Sequence, residues 1–174
     1  MKRSIYAKIY SVLQVAHSDS EYSDKDGLID LVVASGLDVF FHSVYSPAKD
    51  EMELKQSRTS IKRAVKWAID LGFLDAGAMM TKFGRKSTSE KEYTKHLVTV
   101  ILAKLEEGGA GKIILNTTIK NALIGGLDSL PTSKYLYDAI EPSITRKHFS
   151  LYLSILQDSG VAQVSHKKLF FRFG

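Results

Sequence analysis

Apolar residues recur along this chain at helical spacing in several separate stretches, each closed by glycine or by a polar run. From Arg3 to His17, the positions Ile5, Ile9, Val12, Leu13 and Ala16 form one stripe and predict an amphipathic helix. Ser18 to Lys25 is polar, and Asp24 or Asp26 can cap a second helix that carries Leu28, Leu31 and Val32 toward Gly36. A third apolar segment runs from Leu37 to Tyr45 and stops near Pro47, and the charged stretch from Ala48 to Gln56 predicts a loop or frayed turn. Ser57 or Thr59 can cap the next helix, whose inward positions are Ile61, Val65, Ala68 and Ile69 and whose stop is Gly72. Phe73-Leu74 and Met79-Met80, parted by Asp75-Ala76-Gly77-Ala78, predict a short β-hairpin closing at Phe83-Gly84.

The second half follows the same order. Ser87-Thr88-Ser89-Glu90 has the form of a helix cap, and Leu97, Val98, Ile101, Leu102 and Leu105 supply the apolar face up to Gly108-Gly109. Ile113 to Leu115 predicts a brief strand, and Thr117 to Ile124 and Thr132 to Ile140 predict short helices. A long helix follows from Thr145 to Asp158, stopping at Gly160, and a hairpin runs through Val161–Val164 and Leu169–Phe173. Individual residues echo between the halves. Ile61, Ala64 and Val65 align with Phe149, Tyr152 and Leu153 at an offset of 88, and so do Asp70, Gly72 and Phe73 with Asp158, Gly160 and Val161. An internal repeat of a whole module divides the chain into residues 1–88 and 89–174.

The segment Thr59 to Gly84, a capped helix stopped by glycine and followed by a hairpin, resembles the winged branch of the helix-turn-helix proteins, and Thr145 to Gly174 resembles the same unit. The resemblance implies a mainly α chain with small β-hairpins, built from two tandem winged-helix modules. It also implies that each capped helix is a recognition helix and each hairpin a wing. The polar interval from Tyr45 to Ser57 departs from the usual layout of that class.

Charge bears on this picture through its placement. The formal net charge is +5, which permits an anionic partner without requiring one. Arg58, Lys62 and Lys66 fall four residues apart, so they line one helix face opposite Ile61, Val65 and Ala68, with Arg63 beside them and Thr59 near the start. Lys82, Arg85 and Lys86 flank the first hairpin. In the second module Arg146, Lys147 and His148 open the helix, while Lys167 and Lys168 sit in the hairpin. A helix buried on one side and basic on the other suits a major groove, where Arg and Lys reach phosphates and base edges. Acidic residues gather elsewhere, in 19–30, 50–53 and 106–107. The expected partner is therefore double-stranded DNA, in transcription control, replication initiation or support of a nucleoprotein machine. The rival expectation is a scaffold: tandem winged helices also serve as assembly subunits, with a protein partner or a second copy on the same surfaces.

Catalysis has no comparable support. The run Glu107 to Lys112 imitates a phosphate loop, but Glu106 stands where its first glycine belongs and Ile113 where Ser or Thr must hold magnesium. Asp38 with Glu53 and Lys55 imitates the acid and lysine set of metal-dependent nucleases, which needs a strand pair that this polar stretch does not predict. The histidines His17, His42, His96, His148 and His166 show no metal-ligand spacing, so neither a metal nor another cofactor is implied. Trp67 and the aromatic residues Phe171 and Phe173 read as packing residues. The absence of cysteine fits a reducing, cytoplasmic setting. The N-terminal apolar run is broken by Lys8 and Gln14, which favours a helix over a secretory leader, and no run is long enough to span a bilayer.

Overall fold

The computed structural model describes residues 4–19, 21–41, 51–107, 145–160, 162–165 and 168–171. These residues are mainly helical. They fall into two compact units, Met1–His96 and Leu97–Gly174.

Unit 1 is built around three helices. Helix α1, Ile5–Ser18, starts where the Ser4 hydroxyl accepts from the Ala7 N–H, and it buries Tyr6, Ile9, Val12, Leu13 and Ala16. Helix α2, Lys25–Ala34, is capped by Asp24, whose carboxylate accepts from the Gly27 N–H at 2.8 Å, and it buries Leu28, Ile29 and Val32. Helix α3, Glu51–Asp70, packs against both and buries Ser57, Ile61, Ala64, Val65 and Ala68.

The start of α3 corrects the expected loop. Residues 51–56 are helical, so Ser57 and Thr59 lie inside the helix and cap nothing. The segment Glu51-Met-Glu-Leu-Lys-Gln consists of good helix formers, and Glu51 and Glu53 are favoured in a first turn by the helix dipole. It lacks an apolar stripe because Glu51, Met52, Lys55 and Gln56 all face solvent. Ser57 instead donates its hydroxyl to the Phe40 carbonyl at 2.9 Å in the core. Ser57→Ala should cost about 1–3 kcal/mol, because the carbonyl would be left buried without its donor. Urea unfolding measures this, and a loss under about 0.5 kcal/mol would mean the bond contributes little net stability.

Glycine stops α3. Gly72 takes φ +78°, a left-handed conformation that costs any residue with a Cβ roughly 1–2 kcal/mol, and Phe73 and Leu74 then both donate to the Ala68 carbonyl. The expected first hairpin reduces to a single antiparallel bridge between Leu74 and Met80. Phe83-Gly84 ends no strand; it lies within a short helix α4, Lys82–Lys86. Helix α5, Glu90–Glu107, begins with the Ser89 hydroxyl accepting from the Glu92 N–H and crosses the boundary between the units.

In unit 2, helix α6 spans Arg146–Asp158, with Thr145 as its cap and Phe149, Tyr152, Leu153, Ile155 and Leu156 buried. It ends at Gly160, whose φ of +79° repeats that of Gly72 at the offset of 88. Strands β1, Ala162–Ser165, and β2, Lys168–Phe171, pair antiparallel in register from Ala162 with Phe171 to Ser165 with Lys168. The elements expected between Ile113 and Ile140 lie outside the described residues. Among the described residues, no helix is long and apolar enough to cross a membrane.

Candidate nucleic-acid interface

The two faces of α3 separate by chemistry. Ser57, Ile61, Ala64, Val65 and Ala68 form its buried side, and Lys55, Thr59, Lys62, Arg63 and Lys66 are exposed. At 1.5 Å per residue, the cationic stretch from Lys55 to Lys66 covers about 16 Å of helix, slightly more than the width of a B-DNA major groove. Among the described residues, no ion pair engages Lys55, Lys62, Arg63 or Lys66. Trp67 is half-buried beside this face.

Arg58 behaves differently from its neighbours. Its guanidinium lies 2.7 Å from the Asp30 carboxylate of α2, so one member of the spaced series Arg58, Lys62, Lys66 is turned toward an acidic helix. Both side chains are substantially exposed, and such pairs contribute about 0–1 kcal/mol, so the pairing is readily exchanged for another anion. Thr59 donates its hydroxyl to the Lys55 carbonyl at 3.0 Å, leaving its oxygen as an acceptor. Lys55 extends this basic face by a position that the sequence pattern does not show. Its spacing of four to Thr59 and seven to Lys62 is legible only once residues 51–56 are known to be helical.

Lys82 and Arg85, expected beside a hairpin, instead occupy α4 together with Lys86. All three are exposed, at positions i, i+3 and i+4 of one helix face, while Gly84 on the other side is buried. The join is tight. A Cβ built on Gly84 would stand 2.1 Å from the carbonyl oxygen of Phe73. The Thr81 hydroxyl caps α4 by accepting from the Gly84 N–H, and it donates toward the carbonyls of Gly72 and Phe73.

At the start of α6, Arg146, Lys147 and His148 are exposed as expected for an accessible N-terminus. The His148 ring is tied to the cap, its Nδ1 lying 2.8 Å from the Thr145 hydroxyl. Beyond these residues the exposed side of α6 carries Ser150 and Gln157, neutral groups able to donate and accept. Lys168 opens β2 opposite Ser165, and Lys167 lies outside the described residues.

One further cluster has the composition of a hydrolase site. Ser87 Oγ lies 3.1 Å from His96 Nδ1, and His96 Nε2 lies 4.0 Å from a Glu92 carboxylate oxygen. Ser87 is 2% exposed, and its hydroxyl also reaches the Phe83 carbonyl at 3.3 Å, so no substrate carbonyl could meet it. The imidazole stacks on Phe83 with ring centroids 4.6 Å apart. A buried nucleophile and an acid beyond hydrogen-bond range describe a fastening between α4 and α5. Glu53 and Lys55, the imitation of a nuclease set, stand on a helix and not on a strand pair.

No protein-family model, curated protein or solved structure was found to match the chain.

Proposed function

We propose that this chain is a non-catalytic duplex DNA-binding protein of the tandem winged-helix kind, with α3 and α6 as its groove-facing helices. The observation that carries the proposal is the exposed face of α3, where Lys55, Thr59, Lys62, Arg63 and Lys66 stand opposite a wholly buried face. Such a helix is held rigidly by its apolar side and presents cations with an adjacent hydroxyl, the groups that contact phosphates and base edges. Support in the second unit comes from α6, Gly160 and the strand pair β1–β2, which follow one another in the order of a recognition helix and wing. An assembly surface would call for a contiguous apolar patch. Among the described residues the large apolar side chains left exposed are Met52, on α3, and Met79, in the turn between Leu74 and Met80.

Fluorescence anisotropy of a labelled random-sequence duplex, titrated with the chain across a salt series, tests the proposal. About five phosphate contacts would give micromolar binding whose logarithm falls against the logarithm of salt with a slope near −4.5. Lys62→Glu/Lys66→Glu should abolish this binding with folding intact, because both side chains point away from the core. Normal binding by that variant would remove α3 from the interface. No binding by the unaltered chain at low salt would end the DNA proposal and favour a protein partner.

A further inference from the structure

We propose that in unit 1 the phosphate backbone of the duplex is gripped by the short helix α4, through Lys82, Arg85 and Lys86, and not by the turn between Leu74 and Met80. The inference rests on the DNA-binding proposal above and specifies how the first unit carries it out.

The turn is unsuited to phosphate. Residues 73–81, Phe-Leu-Asp-Ala-Gly-Ala-Met-Met-Thr, contain no Lys or Arg, and their one charge is the carboxylate of Asp75. That carboxylate is exposed at the start of the turn and held in place, its Oδ1 accepting from the N–H groups of Gly77 and Met79 at 2.9 Å each. An approaching phosphate would meet a fixed negative charge. Helix α2 offers no substitute, because Asp24, Asp26 and Asp30 are exposed along it.

Helix α4 has the opposite character. Its three cations share one exposed face, and among the described residues no ion pair engages any of them. Two lysines supply compact charges, and Arg85 supplies the planar donor fork that matches a phosphate. The backbone that carries them is locked to the end of α3. Thr81 donates to the Gly72 carbonyl at 2.7 Å, Gly84 sits against the Phe73 carbonyl, and the Phe83 ring lies between Phe73 at 4.9 Å and His96 at 4.6 Å. The α4 cations are thereby carried at the end of α3, the helix that bears Lys62, Arg63 and Lys66. A fixed backbone leaves only the side chains of the three cations to be ordered on docking, which lowers the cost of a backbone clamp.

The test is the same salt series on the full chain with a labelled random-sequence duplex. Lys82→Gln/Arg85→Gln/Lys86→Gln should reduce the magnitude of the slope by about 2.7, at about 0.9 for each phosphate no longer neutralised. Between 50 and 200 mM salt, that difference amounts to about 40-fold in relative affinity. The charge-retaining variant Lys82→Arg/Arg85→Lys/Lys86→Arg should keep the original slope, and Arg85→Gln alone should reduce it by about 0.9. If the unaltered chain binds and neutralising α4 leaves the slope unchanged, the clamp is refuted while the DNA proposal stands. If the unaltered chain shows no salt-dependent binding, both are refuted.

Discussion

Gly84→Ala is expected to destabilise unit 1 by about 3 kcal/mol or more, the upper end of what overpacking a dense interior costs. The added methyl group would stand 2.1 Å from the Phe73 carbonyl oxygen, a separation that no non-bonded carbon and oxygen tolerate. Relief is hard to find, because the obstacle is backbone and cannot rotate aside. Phe73 is itself fully buried and hydrogen-bonded, its N–H donating to Ala68 and its carbonyl accepting from the Thr81 N–H. The chain must therefore lift α4 away from the end of α3, which breaks the Thr81 cap and the stacking of Phe83. For a unit of this size each kcal/mol corresponds to about 4–8 °C, so the melting temperature should fall by at least about 12 °C. Gly77→Ala is the matched control, since its Cβ would meet only the Asp75 carboxylate at an ordinary 3.4 Å. Equal melting temperatures for the two variants would show that α4 is not pinned to the end of α3.

How far such features can be read from sequence depends on whether their signal is local. Helices α1, α2 and α6 are legible because their apolar stripes are uninterrupted and the caps of α2 and α6, Asp24 and Thr145, directly precede them. Gly72 and Gly160 announce the ends of α3 and α6 for an equally local reason, the left-handed turn each adopts. The first turns of α3 are hidden because a solvent-exposed helix start has no apolar period to detect. Ser57 looks like a cap by type and position, yet its partner is a carbonyl 17 residues away, which no local pattern encodes. Helix α4 reads as the edge of a hairpin because five residues are too few to show a helical period, and its identity depends on the close approach of Gly84 to Phe73. On the basic face of α3, Lys62, Arg63 and Lys66 are legible from their spacing opposite Ile61 and Val65. The diversion of Arg58 to Asp30 is not, since those residues meet only through the packing of α2 on α3.

Tyr93→Ala should rank beside Gly84→Ala, with a loss of about 3–5 kcal/mol typical of emptying a large aromatic site. The ring is fully buried, with the rings of Tyr6, Tyr10 and Phe73 at 5.1, 5.0 and 5.5 Å, and its hydroxyl donates to the Tyr6 carbonyl at 2.8 Å. Burial pushes the hydroxyl well above the ordinary tyrosine value of 10.0, with the neighbouring Tyr6 and Glu90 adding to the effect. Burial also raises Tyr6, Tyr10 and Tyr22. The folded state thus favours the neutral phenols, so their contribution is complete below pH 10 and is lost as pH rises from there toward the folded values. Tyr93→Phe separates the two roles of the side chain. Near neutrality it keeps the ring and loses one hydrogen bond, a cost of about 1 kcal/mol. Above pH 10 it no longer has to hold a buried phenol neutral, so its stability should fall less steeply with pH than that of the unaltered chain. Urea unfolding from pH 7 to 11 would show the two curves converging. Parallel curves across that range would mean that Tyr93 ionises as freely in the folded chain as in the unfolded one, which a ring enclosed on these three sides does not permit.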